Sequence, residues 1–186
     1  MPITGQGWEL HVERLGIHRH GDLARTYGRY GVTIEGVPQP DLAGFMVEAI
    51  GAGDNSAPDN GRRIEAGRYE LTTHFRAFVS SGYSASTTIV ADAPMPAIRL
   101  LGTGKRTGIL IHPVYPPAAK LYLASIGCLN PTGPIAADAT VDFWDSRRRV
   151  IALLDSLRAF RPAAFAEKAP TPVAGATVVI DGEPEG

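Results

Sequence analysis

Cysteine is nearly absent from this chain: Cys128 stands alone among 186 residues. A single thiol excludes an internal disulfide framework and every zinc site built on two or more thiolates. Charge of either sign is in short supply too, with Lys+Arg 18 against Asp+Glu 19 and a net charge of −1. That balance gives no electrostatic basis for binding nucleic acid. No apolar run approaches the roughly 20 residues a membrane-spanning helix needs, so no membrane span is expected. The opening Met1-Pro2-Ile3-Thr4-Gly5-Gln6-Gly7 has no basic stretch followed by an apolar one. It reads as the start of a protein made in the cytoplasm without a signal peptide. Repeats and low-complexity blocks are missing as well.

What the chain does have is punctuation. Gly 21 and Pro 15 are spread along it, as suits many short strands joined by turns. Trp8 to Leu15 alternates apolar and polar residues, the period of a half-buried strand. Arg29 to Glu35, Phe45 to Ile50, Arg68 to Phe75, Ala97 to Leu101 and Gly108 to His112 read the same way. Turn clusters separate them at Gly36 to Pro40, Gly51 to Gly61 and Asp92 to Pro96. From Val141 to Phe160 the period changes: Phe143, Trp144, Val150, Ile151, Leu154, Leu157 and Phe160 define one face of a helix. Asp142 and Asp145 begin it, Arg158 and Arg161 end it, and Pro162 stops it. The expected class is mainly β with one long C-terminal α-helix. Residues 1–165 form one domain, and 166–186 a linker or loosely docked tail.

Cys128 has two readings on its own, a buried small hydrophobe or a nucleophile. Its surroundings favour chemistry. Gly108-Ile109-Leu110-Ile111-His112 ends against Pro113, which places His112 at a strand end beside a cleft. Cys128 follows within Ser125-Ile126-Gly127-Cys128-Leu129-Asn130. A neighbouring imidazole can take the thiol's proton, and backbone N–H groups around Gly127 can face a developing oxyanion.

These residues resemble the motif of the L,D-transpeptidases, cysteine enzymes that remodel peptidoglycan: a histidine, a spacer, then Ser/Thr-His-Gly-Cys-hydrophobic-Asn/Arg. Ile64-Glu65-Ala66-Gly67-Arg68-Tyr69 is similar to that family's entry into a core strand. The chain resembles still more closely uncharacterised proteins often found with phages or prophages, over about residues 10 to 160. Ile126 stands where the family has its second histidine, and Asn130 where many members have arginine. The resemblance implies an L,D-transpeptidase-like β-sandwich. It gives catalytic roles to Cys128, His112, Ser125 and Gly127, and no cofactor. The implied substrate is a peptidoglycan stem peptide, with Arg106, Tyr115 and Asn130 as contacts. An immunity protein or a secretion carrier is the expected partner of an antibacterial effector or phage-linked wall enzyme. That enzyme would reach the periplasm through a secretion system or phage lysis. The alternative is a phage-associated binding or structural module without activity.

Other features have plainer explanations. His11, His18 and His20 with Asp22 suggest metal, but nothing completes a ligand set, so no metal site is expected. Gly102 to Gly108 looks like a phosphate loop but leads into a strand, which makes it a hairpin turn with Lys105 and Arg106 facing the cleft. Arg147, Arg148 and Arg149 read as the solvated side of the helix. Tyr115 and Tyr122 are candidate groove walls, and the polar loop Gly51 to Gly61 is a candidate cap.

Overall fold

A computed structural model describes residues 2–75, 96–114 and 125–185. Among these residues eight strands run in chain order: β1 (Trp8–His20), β2 (Leu23–Ile34), β3 (Val37–Glu48), β4 (Gly67–His74), β5 (Ala97–Leu100), β6 (Leu110–Ile111), β7 (Asn130–Thr132) and β8 (Pro172–Asp181). One long helix, α1 (Phe143–Phe160), and a 3-10 turn (Pro162–Phe165) lie between β7 and β8. The class is mainly β with a helix near the C-terminus. All eight strands belong to one sheet, ordered β6-β5-β4-β8-β1-β2-β3-β7. Its two outer strands meet through a parallel bridge between Ile111 and Leu129, so the sheet curls into a nearly closed barrel.

The β1–β2–β3 meander follows from alternation. Trp8, Leu10 and Val12 point into the core while Glu9, His11 and Glu13 occupy the opposite face. Glu35 and Gly36, with φ of 48° and 77°, make the tight β2–β3 connection, the backbone form that glycine adopts without penalty in a two-residue hairpin. The turn is shorter than the Gly36 to Pro40 cluster suggests. Pro38 and Pro40 lie within β3, and Pro38 is in register with Thr33.

The largest departure from expectation is at the C-terminus. The stretch read as linker or tail contains β8, which runs parallel to β1 and antiparallel to β4 in the middle of the sheet. Val178, Val179 and Ile180 are fully buried. A strand covered on both faces shows a continuous apolar run instead of alternation, and Thr177-Val178-Val179-Ile180 is such a run, hidden behind a Pro- and Ala-rich approach.

The helix begins where its N-cap allows: the Asp142 carboxylate accepts from the Asp145 N–H at 2.7 Å. Val150, Leu153, Leu154 and Leu157 join the main core with Trp8, Leu10 and Leu71. The Trp8 indole donates to Ser156 Oγ at 3.0 Å. Trp144, expected on the apolar face, is 53% exposed, and Leu153 takes part in its place. Among the described residues, no helix is long and apolar enough to cross a membrane.

Leu154→Ala is expected to cost about 2–5 kcal/mol through the cavity it leaves, while Trp144→Ala should stay within about 0.5 kcal/mol. Urea unfolding followed by circular dichroism checks both. A chain truncated before Pro172 should show no cooperative transition at all.

Candidate active site

The barrel closes at the segment that carries Cys128. Leu129 N–H donates to Leu110 O at 2.9 Å, and His112 N–H donates to Leu129 O at 3.2 Å. Ile111 and Leu129, paired in this bridge, both point into the core. Alternation then puts Leu110, His112, Cys128 and Asn130 together on the opposite face. In this register Asn130 is beside His112, and Cys128 is beside Leu110, diagonal to the imidazole. Outside the seam, Val47, Val114 and Phe143 form a smaller apolar cluster, and Ser146 Oγ of α1 accepts from the Val114 N–H at 3.3 Å.

Cys128, His112, Ser125, Gly127 and Arg106 all line one cavity of about 250 Å³. The Cys128 sulfur accepts from the Leu110 N–H at 3.4 Å and donates to Gly108 O at 3.7 Å. His112 is 2% exposed, and its Nδ1 lies 2.5 Å from Pro113 O. A carbonyl oxygen so close requires Nδ1–H as donor, which leaves Nε2 with the lone pair.

Burial pushes the imidazole pKa down to about 4, against a smaller opposing effect of the Pro113 carbonyl. Burial also raises the thiol pKa, partly countered by the Leu110 N–H and the Arg106 guanidinium. The resting pair is therefore neutral thiol and neutral imidazole at pH 7, not thiolate and imidazolium.

Ser125 serves the loop and not the imidazole. Its hydroxyl donates to Cys128 O at 2.8 Å and accepts from the Gly127 N–H at 3.5 Å, closing the turn that presents Cys128. Gly127, at φ 149°, is a close-approach position: a Cβ there would lie 2.0 Å from Arg106 Nη2. The Arg106 guanidinium slides beneath it to Ile126 O at 3.0 Å and also donates to Arg62 O. Among the described residues it has no carboxylate partner.

Asn130, expected to touch substrate, does not reach the cavity. It is fully buried, and its amide donates to His112 O at 2.8 Å. Tyr115 and Tyr122 lie outside the described residues. Asp59, which the sequence did not single out, lines the cavity from the Gly51–Gly61 loop. Nothing in its local sequence signals this. The loop is brought there by long-range bonds, Lys105 N–H to Asn55 O at 2.9 Å and Arg106 to Arg62 O.

The remaining candidates are accounted for elsewhere. The Gly102–Gly108 stretch joins antiparallel β5 and β6, as a hairpin connection should. His18 stacks on Tyr27 with ring centroids 3.8 Å apart, and His11 pairs with Asp181 at 2.7 Å. Among the described residues, no three His, Cys, Asp or Glu side chains converge as metal ligands. Of the arginine run, Arg148 is solvated, whereas Arg149 is largely buried and binds Asp145 and Ala43 O. Compared with family models, curated proteins and solved structures, the chain gives no match.

The depressed His112 pKa has a consequence for stability. The unfolded chain takes up this proton near pH 6.5, the folded one only near about 4. Stability is therefore whole above about pH 6.5 and falls as pH drops towards 4, by about 3 kcal/mol for this group. In His112→Asn, the loss measured by urea unfolding between about pH 7 and 4 should be smaller than in wild type by a similar amount.

Proposed function

We propose that the protein is a cysteine acyl-transfer enzyme acting on peptidoglycan stem peptides, as an L,D-transpeptidase or L,D-carboxypeptidase. The observation that carries this reading is the closure of the barrel at one bridge, which delivers Cys128 and an oriented His112 to the same cavity. The reading treats the curled sheet as a form of the L,D-transpeptidase-like sandwich, with its facing walls as the two layers.

Catalysis starts from the neutral pair. His112 Nε2 takes the thiol proton as Cys128 Sγ attacks the carbonyl carbon. The Cys128 backbone N–H, which donates to no acceptor among the described residues, is available to the developing oxyanion. As the C–N bond breaks, the imidazolium returns its proton to the leaving amine and a thioester remains. Water or an incoming amine then attacks the thioester, gives its proton to His112, and restores the thiol. Arg106, a cation with only carbonyl partners, offers the cavity a site for a substrate carboxylate. Delivery belongs to a secretion apparatus or phage lysis, and an immunity protein would guard the producing cell.

A second reading is favoured by one observation. Burial makes the thiol harder to ionise, as suits a non-catalytic, phage-associated binding or structural module that keeps the fold.

The variant Cys128→Ser keeps shape and stability but loses the readily ionised sulfur. Incubated with tetrapeptide-stem muropeptides and followed by mass spectrometry, wild type should release the terminal residue or form cross-links while Cys128→Ser does neither. Equal inertness of both proteins on tetra- and pentapeptide stems supports the binding module. Equal activity removes Cys128 as nucleophile.

A further inference from the structure

We infer that Asn130 is a positioning residue for His112, completing a Cys128–His112–Asn130 arrangement in which the asparagine fixes the imidazole tautomer and never meets substrate. The inference rests on His112 acting as the base in the reading above. It begins with register. The bridge Ile111–Leu129 sets Asn130 beside His112 on the outer face of the seam, at the start of β7 and two residues after Cys128.

Contacts bear this out. The Asn130 Nδ2 donates to His112 O at 2.8 Å and lies 3.5 Å from His112 Nδ1. The neighbouring Leu129 carbonyl holds the His112 N–H. Both backbone polar groups of His112 are thus held by the two residues that follow the nucleophile. Because His112 O belongs to the peptide joining it to Pro113, the amide fixes the plane from which the Pro113 carbonyl turns back to Nδ1. Imidazole orientation and tautomer depend on that plane.

The choice of residue points the same way. Asn130 is fully buried, and its Oδ1 accepts no hydrogen bond among the described residues. A buried acceptor left unmade is costly. Valine or threonine would suit the first position of a short buried strand better. An asparagine half of whose amide goes unused is kept for its donor side, and that donor holds His112.

The test uses histidine-labelled protein and three variants: Asn130→Ala, the isosteric Asn130→Asp, and His112→Ala. Nitrogen shifts in NMR report the His112 tautomer, and the rate of Cys128 alkylation by iodoacetamide near pH 7 reports the thiol. Wild type should show the Nδ1–H form alone. Asn130→Ala should remain folded, populate the Nε2–H form, and be alkylated about tenfold more slowly, with His112→Ala setting the lower limit. Asn130→Asp, which cannot donate to His112 O and places a carboxylate near Nδ1, should raise the His112 pKa by at least about one unit. A single Nδ1–H tautomer and unchanged alkylation in Asn130→Ala, with only a lowered melting temperature, would overturn the inference. Failure of both Asn130 variants to fold would overturn it equally, as the mark of a packing role. Should His112→Ala leave alkylation unchanged, His112 fails as base and the proposed activity falls with it, while the tautomer measurement still judges Asn130.

Discussion

Everything distinctive about this protein depends on one short contact, the parallel bridge at which the curled sheet closes. Leu129 exchanges backbone bonds with Leu110 and His112, and these join the first-ordered strand of the sheet to the segment leading into the last. A pairing this short cannot be strong alone. It persists because Ile111 and Leu129 are fully buried in the common core and because α1 and the Val47–Val114–Phe143 cluster cover its outer side. The register that seals the barrel is the register that brings a thiol, an imidazole and an amide to one face.

The seam needs its two halves held at a fixed distance, and β8 does this from the opposite side of the barrel. It joins β1 to β4, without which the meander and the strands leading to His112 would be separate sheets. Just beyond β8, Glu183 binds the buried Arg14 and Arg63 at 2.8 Å each, and Arg14 forks onto Glu48. The same carboxylate accepts from Gly53 and Ala66 N–H groups at 3.3 and 3.2 Å, which moors both ends of the loop carrying Asp59. Through Arg62 O that loop holds Arg106, and Arg106 supports Gly127. A chain of physical contacts thus runs from the C-terminal residues to the nucleophile's turn. The Arg14–Glu48 pair is buried on both sides, and such a pair adds little net stability over an apolar core; its effect is to fix geometry.

How much of this the sequence revealed depended on whether the signal was local. The alternation of Trp8-Glu9-Leu10-His11-Val12, the helical spacing around Leu154, and His112 against Pro113 each reflect a few consecutive residues, and each is where expected. The resemblance drew attention to Ser125, Gly127 and Cys128, which do meet His112 at one cavity. β8 was missed because a strand buried on both faces carries no period of two. Asn130 was placed at the wrong partner because only the bridge register, a long-range fact, turns it towards His112. Ser125 likewise closes its own turn, a choice its sequence position does not reveal. Asp59 reaches the cavity only through bonds to residues some forty to fifty positions away.

Electrostatics at the seam explain why each of these placements matters. A half-buried thiol and a buried imidazole penalise both charged forms, so an ion pair cannot wait ready-made as in cysteine sites open to water. A neutral pair is useful only if proton transfer and bond formation coincide, and that demands an imidazole whose lone pair is already on the correct nitrogen. Pro113 O supplies the acceptor that sets the tautomer, and Asn130 holds the His112–Pro113 peptide, from which the Pro113 carbonyl turns back to the ring. Arg106 is brought beside the thiol by a glycine that leaves it room. Its charge lowers the cost of ionising the thiol, and among the described residues lining the cavity it is the one arginine or lysine, with Asp59 as an acidic neighbour. The exposed Ile126, where the resembling family has a second histidine, adds no polar group beside the sulfur. On the proposed acyl-transfer reading, activation of the thiol would rest on imidazole orientation and on the Arg106 charge.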